Sequence, residues 1–228
     1  MRVSRISRIV AIAAVAGAVL TPASAAFADF GPAKKFPVFP MCNGLFATIV
    51  GTAGPDVVYG TAGNDVIATL GGADTVHPGA GNDIICTGDG NDYVNSYSWT
   101  NEIDWADLGN GEDRYDGGFG VDIVYGGPGS DILFGNGSTD VLYGGDDNDQ
   151  LYPEQGSNQV FGGYGNDFIY SKFNPSAGSV NMLYGEQGND IFETQQGIVD
   201  HVFGGPGYDS VCADDFDPLT DTNYLSCV

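Results

Sequence analysis

Aspartate recurs at every ninth residue along most of this chain. It stands at Asp56, Asp65, Asp74, Asp83 and Asp92, and again at Asp104, Asp113, Asp122, Asp131, Asp140 and Asp149. Asn158 and Asp167 continue the second series, and Asn181, Asp190, Asp200 and Asp209 follow with small shifts. The stretch 117–134 shows the unit twice, as GGFGVDIVY and GGPGSDILF. Glycines fill positions 1, 2 and 4, Asp position 6, an aliphatic position 8 and an aromatic position 9. Counted this way, seventeen units run over 51–95, 99–170, 176–193 and 195–212, with breaks at 96–98, 171–175 and 194. Residues 42–50 read as a degenerate unit without the acid, suited to capping the start.

A fixed short period restricts the fold to a stack of like units, because no single unit buries its apolar face alone. One aliphatic per nine residues is too sparse for an amphipathic helix, and 36 glycines disfavour helix throughout. The spacing predicts a turn of about six residues followed by a very short strand. In that strand position 8 points one way and positions 7 and 9 the other. Position 8 (Val58, Ile67, Val76, Ile85, Val94, Val124, Leu133, Leu142, Leu151, Val160, Ile169) is the expected core. Two units, eighteen residues, make one coil with a strand on each side. The fold class is all-β, a solenoid.

The 228 residues carry a net charge of −23, yet 42% are hydrophobic, which separates this chain from a disordered acidic tail. Seven basic residues argue against nucleic-acid binding and against attraction to an anionic membrane. Arg2, Arg5 and Arg8 precede an apolar run from Ile9 to Leu20, and TPASAAFA follows. This is the pattern of a secretory signal peptide over 1–28, cut after Ala25 or Ala28. The run falls short of the roughly 20 residues that a membrane-spanning helix needs. Four cysteines in a secreted chain imply disulfides, with three connectivities open. We favour Cys42–Cys86 and Cys212–Cys227, one pair toward each end of the array. No C-x-x-C pair suggests a zinc site.

The units GGFGVDIVY, GGPGSDILF, GGYGNDFIY and GGPGYDSVC resemble the RTX (hemolysin-type) nonapeptide G-G-x-G-x-D-x-U-x, with U a large aliphatic. GTAGNDVIA, PGAGNDIIC and TGDGNDYVN are near matches. The N-terminal CNGLFATIVGTAGPDVVYGTAGNDVI and the closing cysteine pair also look like secreted actinobacterial members. The resemblance covers residues 42–212. It implies a parallel β-roll with several Ca²⁺ ions held between turns stacked on one side. The ligands it implies are Asp56, Asp65, Asp74, Asp83, Asp92, Asp104, Asp113, Asp122, Asp131, Asp140, Asp149, Asp167, Asp190 and Asp209.

Calcium suits such residues because it takes six to eight hard oxygen ligands, which tightly curled backbone and short carboxylates supply. Same-side partners lie eighteen residues apart: Asp56–Asp74–Asp92, Asp65–Asp83, Asp104–Asp122–Asp140 and Asp113–Asp131–Asp149–Asp167. Without metal these rows set like charges at roughly the 5 Å strand spacing, so folding is expected to be coupled to Ca²⁺. Some turns depart from the pattern. Ser138 and Asp147 replace the fourth glycine, Pro153 the first and Asn158 the acid, and Glu102, Ser179 and Asn181 depart similarly. A non-glycine residue in a left-handed conformation costs about 1–2 kcal/mol, so these turns fit the ion less well.

Position 9 is often aromatic. Tyr125, Tyr143 and Phe161 are expected to stack on one side, and Phe134, Tyr152 and Tyr170 on the other. Such rings either steady neighbouring coils or present a face to a glycan or protein partner. No catalytic constellation appears. His77 and His201 fit outer repeat positions, and neither H-E-x-x-H nor G-x-S-x-G occurs. The acidic DDFDPLTD at 214–221 lacks the glycine and terminal Glu of an EF-hand loop. The expected organisation is a signal peptide at 1–28, a Pro-rich entry segment and cap at 29–50, the roll at 51–212 and a disulfide-closed cap at 213–228. The function read from this is a secreted, calcium-binding, non-enzymatic roll with a structural or adhesive extracellular role.

Overall fold

A computed structural model describes residues 40–96, 101–171, 178–194, 199–212, 218–219 and 224–226. The expected signal peptide, most of the entry segment, the loop at 214–217 and Cys227 lie outside the described residues. Those described form two parallel sheets, of nine and ten strands, together with a small antiparallel hairpin. Consecutive units alternate between the sheets, so each coil contributes one strand to each. Register steps by eighteen residues, as in Ile132↔Gln150 and Val141↔Gln159. No helix among the described residues is long and apolar enough to cross a membrane.

Alternation decides what is inside. Position 8 is buried along the whole stack, from Val58 and Ile67 to Val202 and Val211. The row includes two large rings that an aliphatic pattern does not announce, Tyr115 and Phe192, both fully buried. Positions 7 and 9 face outward at half-buried or exposed levels, Ala68 excepted. Tyr125, Tyr143, Phe161, Tyr184 and Phe203 form one ladder with centroids 4.6–4.8 Å apart and planes within 12° of parallel. On the other face Phe134 stacks on Tyr152 at 4.6 Å, and Tyr59 on His77 at 5.0 Å. Both faces of each inner ring of the long ladder are therefore covered by neighbouring rings.

The strands are unequal. In the ten-stranded sheet most span three residues, such as Ile132–Phe134, but in the other they reach eight, as in Val121–Pro128. The longer strands continue through positions 1 to 3 of the next unit, where Gly127 pairs with Gly145 and Pro128 with Asp146. The three breaks do not interrupt the stack. Each begins with a buried hydroxyl (Ser96, Ser171 or Thr194) in the place where position 1 belongs. Their amides donate to Asp116, Glu193 and Cys212 carbonyls, as the Gly117 amide donates to Phe134.

The expected start unit is only half right. Ile49–Val50 pairs with Ile67–Ala68 as a normal strand end. Ahead of it Met41–Cys42 and Leu45–Phe46 form a hairpin, turning at Asn43 (φ 46°) and Gly44 (φ 77°). The expected Cys42–Cys86 disulfide is present and ties this hairpin to the long-strand sheet. Cys212 is disulfide-bonded as well.

Candidate metal centre

The aspartate rows lie inside the edges of the roll. Each turn ends at position 6, whose side chain points inward like position 8. Asp74, Asp83, Asp92, Asp113, Asp122, Asp131, Asp140, Asp149, Asp167 and Asp190 are at most 2% exposed. One carboxylate oxygen has a fixed partner: the amide of the Asp one coil earlier donates to Oδ1. Along the first edge these bonds run from Asp56 through Asp74, Asp92, Asp113, Asp131, Asp149, Asp167 and Asp190 to Asp209, at 2.7–3.0 Å. Along the second edge they link Asp65 to Asp83, Asp83 to Asp104, and Asp122 to Asp140. The expected partners are thus brought together, and the rows also run across the 96–98 break.

The other oxygen is satisfied at the start of each row, where Asp56 and Asp65 Oδ2 accept from the amides and hydroxyls of Thr52 and Thr61 at 2.6–2.9 Å, but not along most of its length. Oδ2 of Asp74, Asp83, Asp92, Asp113, Asp131, Asp140, Asp149, Asp167 and Asp190 is buried without a hydrogen bond, and at Asp122 both oxygens are. It lies over position 1 of its own turn. A Cβ on Gly126 would fall 2.3 Å from Asp131 Oδ2, and one on Gly144 2.3 Å from Asp149 Oδ2. In these turns glycine at position 1 gives the carboxylate its room, whereas Asp74, Asp83, Asp92 and Asp113 are as deeply buried in turns that begin with Thr69, Pro78, Thr87 and Leu108. Position 4 favours glycine by conformation too. Gly129 has φ 131°, and a Cβ there would meet the Gly111 carbonyl oxygen at 1.7 Å.

Burial shifts these carboxyls upward. Desolvation, helped by the Asp140 and Asp104 carboxylates, pushes Asp122 up to about 9. Burial takes Asp131, Asp140 and Asp149 to about 8, Asp83, Asp113 and Asp190 to about 7, and Asp167 to about 6. Asp92 and Asp104 are raised for the same reason. The accepted backbone hydrogen bonds oppose the shift but do not cancel it. A row of buried carboxylates with orphaned oxygens calls for either protons or a cation.

The donor set fits a hard cation. Among the described residues no group of three or more His, Cys, Asp or Glu side chains is placed to hold a metal by itself. An ion at these edges would take one or two carboxylates and complete its shell from turn carbonyls, which is oxygen chemistry of the calcium type.

The RTX calcium-binding nonapeptide repeat (four copies) matches residues 47–76, 61–94, 116–151, 125–160 and 152–171. The chain carries RTX repeats. The matched segments take in turns of both edges and leave out Asp104, Asp113, Asp190 and Asp209; calcium binding is the property that the family description attaches to the repeat. A comparison with curated proteins finds no match.

Some polar partners of the array are not visible in the nonapeptide pattern. The Ser96 hydroxyl donates to Asp104 Oδ2, and Asn181 Nδ2 donates to Ser171 Oγ at 2.8 Å. Both serines belong to what reads in sequence as a break. The buried Tyr115 ring stands beside Asp122 and Asp104, whose charges add to burial in holding its hydroxyl well above the usual range. The only available signal was a polar residue immediately after position 9.

Proposed function

We propose that this protein is a secreted calcium-binding β-roll in which ion binding and folding are one event, serving a structural or adhesive role outside the cell. The observation that carries this is the row of buried carboxylates such as Asp113, Asp131, Asp149 and Asp167, with Oδ1 held by a backbone amide and Oδ2 without a partner. When bound, calcium supplies the positive charge that these oxygens lack. Asp56, Asp65, Asp74, Asp83, Asp92, Asp104, Asp113, Asp122, Asp131, Asp140, Asp149, Asp167, Asp190 and Asp209 are the side chains proposed to face it, and the glycine turns bring the carbonyls close. Secretion rests on the leader-like residues 1–28 and on a disulfide joining Cys42 to Cys86, which needs an oxidising compartment. We assign no catalytic role.

The aromatic rows support a structural role over a glycan- or protein-binding one. Rings stacked at 4.6–4.8 Å use their faces on one another and offer only edges outward. The experiment is circular dichroism of the chain lacking residues 1–28 during a calcium titration. The expected result is a β spectrum that appears with calcium at neutral pH. A fully folded spectrum in excess chelator at that pH would refute the coupling.

A further inference from the structure

We propose that the two edges of the roll are loaded unequally: the first binds calcium along its length, whereas the second, from Asn158 to Asn181, binds none and is closed by its own amides. This rests on the calcium reading above and concerns which coils use it. In the second row Asn158 and Asn181 stand where the repeat has Asp. Each keeps the ladder bond, since the Asp140 amide donates to Asn158 Oδ1 and the Asn158 amide to Asn181 Oδ1, both at 2.8 Å. The difference lies in the second atom. Where an aspartate has an orphaned Oδ2, these residues have an NH₂ group that finds acceptors. Asn158 Nδ2 donates to the Pro153 carbonyl at 3.3 Å. Asn181 Nδ2 donates to Ser171 Oγ at 2.8 Å and to Asp200 Oδ1 at 2.9 Å.

This arrangement excludes a cation in two ways. An amide donor presents positive hydrogens where a calcium ligand must present a lone pair. The amide of Asn181 also consumes a carboxylate oxygen of Asp200. The opposite edge of the same coils is different. Asp149, Asp167 and Asp190 are in register and each has a buried Oδ2 without a hydrogen bond. The turn backbone does not make the difference: Gly163 and Gly165 on the first edge have φ of 116° and 142°, and Glu154 and Gly156 at the same positions on the second have φ of 58° and 116°. The side chains at position 6 do. Each coil here would carry calcium on one side only, with a neutral hydrogen-bonded seam on the other.

The test is calcium stoichiometry by equilibrium dialysis on the chain lacking residues 1–28, comparing wild type, D149N/D167N and N158D/N181D. D149N/D167N is expected to lose bound calcium. N158D/N181D is expected to gain bound calcium, because it exchanges both amide donors for carboxylate oxygens like those of the opposite edge. The single variant N158D is expected to show a gain in the same direction should the double variant fail to fold. No gain in either N→D variant, or no loss in D149N/D167N, overturns the inference and leaves the calcium reading intact. A wild-type chain that binds no calcium overturns both.

Discussion

Asp131 separates the two roles of a ladder aspartate, because asparagine can perform one and not the other. Its Oδ1 accepts the Asp113 amide at 2.8 Å, while Oδ2 is buried and without a partner. The substitution Asp131→Asn keeps the acceptor, as Asn158 does naturally, and removes the charge. Burial moves the Asp131 carboxyl from 3.8 to about 8 in the metal-free fold. At about pH 7 the folded chain must then carry a proton that the unfolded chain has released, a cost of roughly 4 kcal/mol that asparagine does not incur. In chelator, D131N is therefore expected to be more stable than wild type by a few kcal/mol. With saturating calcium the sign reverses, since an anionic ligand oxygen is gone. The assay is urea unfolding followed by circular dichroism, with and without calcium; where the chelated wild type is unfolded, the osmolyte concentration that restores structure replaces the urea midpoint. Near pH 4 the chelator difference should nearly vanish, because Asp131 is then close to half protonated even when unfolded. A D131N chain that is destabilised in chelator and in calcium alike would refute the reasoning, showing that the carboxylate serves the fold directly.

Three other outcomes follow from the same geometry. Carboxyls raised in the folded state favour folding at low pH and lose that contribution as pH rises from about 4 through their folded values. The metal-free chain should thus fold on acidification, and calcium added to that acid-folded state should release protons from Asp122, Asp131, Asp140 and Asp149 into weakly buffered solution. Gly127 has φ 112° and a Cβ there would lie 2.0 Å from the Gly109 carbonyl oxygen, so G127A should raise the calcium midpoint by more than the ~1–2 kcal/mol of left-handed strain alone. G54A, where a Cβ meets nothing within 4 Å, should stay within about 0.5 kcal/mol of wild type. Replacing Cys42 and Cys86 by Ala opens a loop with a sequence separation of 44, and should lower stability in saturating calcium by about 4 kcal/mol on the chain-entropy account, read from urea midpoints.

The period of nine made the coil legible because it fixes which side chain points inward. Position 8 lands in the core at Val58 and at Val211 alike. The eighteen-residue partners follow from the same count, whereas the Cys42–Cys86 pair is read from both cysteines lying toward one end of the array. Two things did not follow from it. Ser96 and Ser171 read as the start of an interruption, yet each occupies position 1 and meets the position-6 side chain of the lengthened turn. A motif that specifies glycine there does not reveal that a hydroxyl can satisfy the oxygen that glycine leaves bare. The hairpin at 41–46 was also hidden, because Asn43 and Gly44 make a tight turn where the repeat would have placed a long one.

Glycine and aspartate have one common cause in this chain, which explains why they recur together. Where position 1 is glycine the carboxylate uses the room it leaves, since Asp131 Oδ2 occupies the space where the Gly126 Cβ would be; Thr69, Pro78, Thr87 and Leu108 show that a side chain there can also be accommodated beside a buried Asp. Successive turns can stack only if position 4 accepts a carbonyl against its α-carbon, as Gly129 accepts that of Gly111. A turn shaped this way holds a buried negative charge that its own backbone satisfies on one oxygen only. The fold therefore contains an electrostatic deficit repeated along each edge. Ser96 offsets it locally with a hydroxyl and Asn158 removes it by exchanging the acid for an amide. Thr52 and Thr61 offset it at Asp56 and Asp65. For the remaining carboxylates a cation is the compensation open at neutral pH, and on the proposed reading the stability of the roll follows the supply of that cation.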